Sequence, residues 1–133
     1  MLSITNLTKR NPPTGGPWQK IKEKVLGKKY ELSLVLAGNA LMKKLNLKYP
    51  PRVEERTRVE AGRRKNKIAS VLSFSFSKRQ GEIFINLSQK KHSPVFLFIH
   101  ALLHLKGLEH SVKMKGQEQE LMKRYGQRHH HRP

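Results

Sequence analysis

Hydrophobic and polar positions follow two periods along the chain, and each period predicts one kind of element. Alternation and β-rich composition predict four strands, and apolar spacings of three or four residues predict four helices. The order βαβα, ββ, αα predicts an α+β fold in which one mixed sheet of about four strands packs with helices. The predicted strands are residues 2–8, 31–37, 70–76 and 82–87, and the predicted helices are residues 17–29, 39–48, 94–106 and 112–125.

Two segments lie outside these elements. Residues 50–62 begin with Pro50-Pro51 and are rich in charge and poor in apolar side chains, so we expect an exposed excursion there. Residues 126–133 are predicted to be a mobile basic tail. Because 133 residues are about the length of one ordinary domain, residues 1–125 are predicted to form a single compact domain.

The most apolar of the predicted helices carries two histidines. Ser93 and Pro94 are typical of an N-cap and a first helical residue. Within residues 95–105, every side chain is apolar except those of His100 and His104. This pattern predicts a helix that is buried all round.

Composition narrows the chemistry. The chain has no cysteine, which excludes disulfides, thiolate metal sites and cysteine nucleophiles. It has no apolar run near the length of a membrane span and no signal-peptide centre, so we expect a soluble, cytoplasmic protein. Its 28 lysines and arginines outnumber its 9 acidic residues, a net charge of +19. That excess predicts a polyanionic partner, with nucleic acid first, an anionic membrane surface second, and a basic background without function as the alternative.

The two helical histidines and a third one beyond the helix predict a metal site. His100 and His104 are four residues apart, so they share a helical face, where two imidazoles can bind one metal ion. Gly107 is a typical helix stop, and His110 can return a third imidazole to the open side of the pair. Three neutral nitrogens and one open position are typical of catalytic zinc. The alternative is a pair of core histidines, which would each need a buried partner.

The acidic residues around these histidines limit the mechanism. In zinc proteases of the HExxH type a glutamate follows the first histidine as general base, and here Ala101 occupies that place. A conventional zinc-protease mechanism is therefore not expected. Glu109, beside His110, is the nearest carboxylate in sequence and could orient a ligand or carry a proton. A solvated loop glutamate is the alternative interpretation.

Residues 100–110, HALLHLKGLEH, resemble the signature H-G-x-L-H-L-x-G-Y-D-H of YbeY, the bacterial endoribonuclease of ribosomal RNA maturation. All three histidines match, and the departures are Ala101, Leu108 and Glu109. Three shorter segments are also similar to family motifs. They are ASVLSF at residues 69–74 against T-D-V-L-S-F, LNLKY at residues 45–49 against L-N-x-x-Y, and GEI at residues 81–83 against G-D-I.

The resemblance implies a YbeY-like metal-dependent hydrolase fold with one zinc ion per chain, held by His100, His104 and His110. It implies cleavage of single-stranded RNA, in maturation of the 16S rRNA 3′ end and in ribosome quality control. The implied partner is the RNA of the small ribosomal subunit, without DNA or membrane, and the implied state is a monomer.

The resemblance also implies two catalytic residues. Residues 63–70, RRKNKIAS, align with the family's R-x-K-D-x-P-T-D, which places the functional arginine at Arg63 and makes residues 50–62 an insertion. An arginine there would stabilise charge on the phosphate. Glu109 takes the place of the family's aspartate beside the third histidine.

Two other functions stay open. The changes at Ala69, Ser70, Ala101 and Glu109, together with the high charge, favour a non-enzymatic ribosome-binding or RNA-binding protein that retains zinc as a structural remnant. A zinc hydrolase of a small substrate would fit the three histidines but would leave the net charge unexplained.

Overall fold

Four strands form one mixed sheet in the computed structural model, which describes residues 2–8, 17–48, 69–89, 91–108 and 112–126. The sheet order is β1-β2-β4-β3, with β1, β2 and β4 parallel and β3 antiparallel to β4. The predicted α+β fold with one mixed four-stranded sheet is confirmed. The strands are β1 (Leu2–Asn6), β2 (Glu31–Ala37), β3 (Val71–Ser77) and β4 (Gln80–Asn86).

In the part of the chain that the structure describes, four helices accompany the sheet, and a π-helical turn, Met122–Gly126, directly follows the last of them. The first helix is the crossover connection between the parallel strands β1 and β2, since a tight turn cannot join strands that run the same way. The second helix lies between β2 and β3, which run in opposite directions. Within the described residues no helix has the length and apolar character to cross a bilayer. The helices are α1 (Trp18–Leu26), α2 (Asn39–Lys48), α3 (Pro94–Lys106) and α4 (Val112–Leu121).

The hydrophobic core lies between one face of the sheet and the helices α1 and α3. Alternate residues of β2 and β4 point to this face, as the period of two requires, and they are completely or almost completely buried. The ring of Trp18 in α1 meets that of Phe98 in α3 edge to face, with centroids 4.9 Å apart. The sheet residues of this core include Leu32, Leu34, Leu36, Ile83 and Ile85.

Helix α3 has the ends that the sequence predicts, but one of its faces is open. Ser93 Oγ accepts a hydrogen bond from the Phe96 N–H at 3.1 Å, and Gly107 ends the helix at a φ of 109°, where glycine meets no steric penalty. The prediction of a helix buried all round is wrong. Phe96, His100 and His104 are only half-buried, because the core covers the opposite side of α3.

Several element ends differ from the prediction for local reasons. The first strand ends at Asn6 rather than Thr8, since the Asn6 side chain accepts from the Thr8 N–H at 2.9 Å and turns the chain. Helix α1 ends at Leu26, before Gly27 with its φ of 94°. The β3–β4 connection is the two-residue turn 78–79, shorter than the predicted segment 77–81.

The excursion at residues 50–62 lies outside the described residues, as do Arg63, Glu109, His110 and residues 127–133. The predictions made for these positions therefore stay predictions.

Gly81 in β4 generates a stability prediction, because a side chain there would meet three neighbours. A Cβ would lie 2.5 Å from Tyr30 Oη, 3.0 Å from the Phe74 carbonyl oxygen and 3.3 Å from a Leu105 methyl carbon. We expect Gly81→Ala to lower the free energy of unfolding by about 1–3 kcal/mol, measured by urea denaturation.

Gly116→Ala is the matched control for this prediction. Gly116 lies inside α4, and a Cβ there meets no atom within 4 Å. The same exchange should therefore raise the free energy of unfolding by about 0.5–1 kcal/mol through helix propensity. Equal effects of the two substitutions would contradict the close packing at Gly81.

Candidate metal centre

His100 and His104 face each other on the open side of α3. Their Nε2 atoms are 3.2 Å apart, and the two rings meet edge to face with centroids separated by 4.7 Å. The helix brings them together because residues four apart lie one turn apart on the same face. The structure thus brings together the first two of the three histidines predicted as ligands.

Glu118 of α4 contacts the other nitrogen of the first histidine. Its Oε2 atom pairs with His100 Nδ1, and the residue as a whole is 9% exposed. A carboxylate accepts hydrogen bonds, so Nδ1 carries the proton and Nε2 keeps its lone pair. Glu118 therefore fixes both the tautomer and the ring orientation of His100, as carboxylates commonly do behind metal-binding histidines.

Sequence reasoning missed Glu118, although a signal for it exists. Glu118 shares the buried face of α4 with Met114 and Leu121, at helical spacings of four and three residues. A carboxylate at a position where the pattern calls for an apolar residue needs a polar partner inside the protein. That partner is His100.

Two further rings, those of Phe96 and His92, lie in a row with the histidine pair. Phe96 stacks against His100 with centroids 6.1 Å apart, and His92 lies against Phe96 at 4.8 Å and a tilt of 34°. The four rings form one column, in which Phe96, His100 and His104 share a face of α3 and His92 precedes the N-cap Ser93. The sequence analysis predicted a role only for His100 and His104, because a spacing of four residues was interpreted as a sign of metal ligands and not of stacked rings.

The two Nε2 atoms fit a tetrahedral zinc ion. With Zn–N bonds of about 2.0–2.1 Å, two ligands at the tetrahedral angle are about 3.3 Å apart, close to the 3.2 Å between these nitrogens. Within the described residues, no set of three or more histidine or acidic side chains is arranged to hold a metal ion. A third ligand must then come from elsewhere, and the predicted one, His110, lies outside that part of the chain.

Comparison with known proteins adds to this geometry. No family model matches the chain. The chain is 34% identical over 113 residues to the Endoribonuclease YbeY of Pelagibacter ubique, covering 71% of this chain and 65% of that protein. It is 31% identical over 100 residues to the Endoribonuclease YbeY of Ehrlichia chaffeensis, covering 63% and 56%. The chain is similar to the YbeY family over most of its length. It spans somewhat less than two thirds of the length of these two relatives.

One departure from the YbeY signature faces away from the histidines. Ala101 replaces the glycine after the first histidine, and it is 1% exposed on the core side of α3. Its methyl group therefore adds to the packing and leaves the Nε2 side of His100 unchanged.

Two more departures from the YbeY pattern make their contacts through the main chain. The Asn86 side chain donates from Nδ2 to the Ala69 carbonyl at 3.1 Å and to Asn39 Oδ1 at 2.8 Å, while the Asn86 N–H donates to the Ser70 carbonyl at 2.9 Å. The carbonyls of Ala69 and Ser70 belong to the main chain, so any residue at these two positions would supply them. The chain that leads from Arg63 into β3 is thus anchored at residues 69 and 70 without the family's threonine and aspartate.

We expect Asn86→Asp to test this anchor. Asn86 is 1% exposed, and the substitution replaces two donated hydrogen bonds with a buried carboxylate facing two oxygens. The free energy of unfolding should fall by about 3 kcal/mol or more in urea denaturation. The control, Asn39→Ala, removes one bond at an exposed position and should cost about 1 kcal/mol. A smaller loss for Asn86→Asp than for Asn39→Ala would contradict the anchor.

Proposed function

We propose that this protein is a zinc-dependent endoribonuclease that cleaves single-stranded RNA. The observation that carries the proposal is the pair of facing Nε2 atoms of His100 and His104, with Glu118 behind them, in a chain similar to the YbeY family. Both relatives bear the name endoribonuclease.

The proposed substrate is ribosomal RNA. The family resemblance points to the 3′ end of 16S rRNA and to ribosome quality control, with the small ribosomal subunit as partner and the cytoplasm as the site of action. The net charge of +19 supports a polyanionic partner, since lysine and arginine neutralise backbone phosphates and release counterions. A small-substrate hydrolase would have no use for this charge.

His100, His104 and the predicted His110 would hold one zinc ion. Zinc bound there supplies Lewis-acid chemistry, which polarises a phosphoryl oxygen and activates a hydroxyl nucleophile. Glu118 contributes by accepting a hydrogen bond from His100 Nδ1, which holds the ring so that its Nε2 atom faces that of His104.

Arg63 and Glu109 are the proposed catalytic residues beside the metal. A guanidinium can grip two phosphate oxygens at once and stabilise the charge that develops between them, which an ammonium group cannot match. Glu109, next to His110 in sequence, would orient a ligand or move a proton. Both assignments rest on the family register.

A non-enzymatic RNA-binding protein that retains the zinc site is the second candidate. One observation favours it. The carboxylate of Glu118 pairs with Nδ1 of His100 and so faces away from the Nε2 atoms, where a general base would act. Zinc and RNA binding without cleavage would support this second function.

The zinc proposal predicts one zinc ion per chain, with a site that weakens when Glu118 changes. We expect Glu118→Gln to lower zinc affinity about 10- to 100-fold, because the neutral amide holds the His100 proton less strongly. His104→Ala should abolish stoichiometric binding. Chelator competition measures both, with His129, His130 and His131 replaced by alanine in every sample.

Glu120→Gln is the control for this measurement. It removes the same charge from an exposed position on α4 two residues away and should leave zinc affinity unchanged. Equal losses for both glutamine variants would show a general charge effect and contradict the role of Glu118.

The nuclease proposal predicts that Arg63→Lys reduces the cleavage rate of single-stranded RNA far more than it reduces RNA binding. The bidentate contact matters most in the transition state, so kcat should fall about 10-fold or more with a small change in affinity. Arg52→Ala and Arg56→Ala, within residues 50–62, should weaken binding modestly and leave kcat unchanged.

Three outcomes would correct or overturn this assignment. Normal cleavage by Arg63→Lys with impaired cleavage by Arg64→Lys would shift the register by one residue. If neither substitution affects cleavage, the arginine has no part in the mechanism. If zinc-loaded wild-type protein does not cleave RNA at all, the non-enzymatic RNA-binding protein is favoured.

A further inference from the structure

His92 is the outermost ring of the column and lies just before the start of α3. It is exposed, while Phe96 beneath it is half-buried and packs against the core. The two centroids are 4.8 Å apart with a tilt of 34°, so the phenyl ring holds the imidazole from one side. A supported ring whose remaining surface meets solvent is the geometry on which a further flat ring can stack.

The column connects this exposed ring directly to the proposed metal site. Phe96 stacks against His100 at 6.1 Å, and the Nε2 of His100 faces that of His104. A phosphate bound at the histidine pair would therefore have its neighbouring nucleotides within reach of the outer end of the column. Phe96, His100 and His104 share one face of α3, and His92, which precedes the N-cap Ser93, extends the column beyond the start of the helix.

We propose that His92, supported by Phe96, is the stacking surface for an unpaired base next to the phosphate that is cleaved. The inference rests on the proposed function, since it requires RNA at the histidine pair. Histidine is among the side chains on which splayed RNA bases stack. His92 acts here as a specificity-determining residue and takes no part in the chemical step.

This stacking surface explains a preference for single strands. A base in a duplex already stacks on its neighbours and pairs with its partner, so it cannot turn out onto a protein ring without losing both contacts. An unpaired base has no pairing to lose and gives up only the weaker stacking of a single strand. Because every base has a π-face, the surface should accept all four bases and select for strand state over sequence.

A double-mutant cycle between the protein and the RNA tests the contact. Single-stranded RNAs with one abasic residue at each position flanking the cleaved phosphate are compared with intact RNA, using wild-type protein and His92→Gln. We expect base removal at one position and His92→Gln each to lower kcat/KM about 5- to 10-fold, the lower part of the range for base stacking. Together they should cost no more than either alone.

Two variants separate the ring from its charge. His92→Tyr keeps an aromatic surface and should retain most of the wild-type kcat/KM and the sensitivity to base removal. Lys91→Gln changes the adjacent exposed cation and should weaken cleavage of intact and abasic RNA by the same factor. Full additivity of His92→Gln with every abasic position, or failure of His92→Tyr to restore activity, would overturn the proposal.

A binding measurement keeps this inference separate from the nuclease proposal. RNA with 2-aminopurine at the sensitive position, or at each position in turn if wild-type protein cleaves nothing, is mixed with zinc-loaded Arg63→Lys protein, which keeps the histidine pair and is expected to cleave slowly. The protein should quench the fluorescence of the 2-aminopurine. A second substitution in the same protein, His92→Gln, should abolish this quenching, whereas His92→Tyr should preserve it. Quenching with this pattern but no cleavage would overturn the nuclease and support the stacking surface. Cleavage without any His92-dependent quenching would support the nuclease and overturn the stacking surface.

Discussion

The burial of α3 against the sheet is the constraint on which the rest of the structure depends. Seven of its side chains are buried, and they join the cores contributed by α1, β2 and β4. Because one side of the helix is committed to the core, the other side must carry every group that meets solvent or a ligand. The imidazoles therefore occupy a fixed orientation, and a single neighbour on α4 is enough to set their hydrogen bonding.

Much of the fold follows from local patterns, and the pairing of its strands does not. The caps at Ser93 and Gly107 and the alternation in β4 are local signals, and the structure contains the elements that they predict. The order β1-β2-β4-β3 depends on contacts between residues far apart in sequence, which no local period records. The prediction that α3 is buried on all sides was wrong. Apolar composition shows that a helix favours burial, but the number of elements packed around the helix decides how much of its surface is covered.

The candidate site divides in the same way. The pair of His100 and His104 could be predicted, because a spacing of four has one geometric meaning on a helix. The contact of Glu118 with His100 could not, since the two residues lie on different helices and only their packing brings them together. Phe96 was classed as core by its apolarity, although its ring also bridges the exposed imidazole of His92 and the histidine pair.

The anchor at Asn86 also bears on how the family can change in length. It fixes Ala69, where the connection between α2 and β3 ends, and, through Asn39, the start of the helix from which that connection leaves. For a connection whose ends are held, the entropy of closing the loop grows only with the logarithm of its length, about 0.6 kcal/mol for each doubling. Residues added between Lys48 and Ala69 thus lower the free energy of unfolding very little. The chain can therefore acquire a long basic segment there without any change in its sheet.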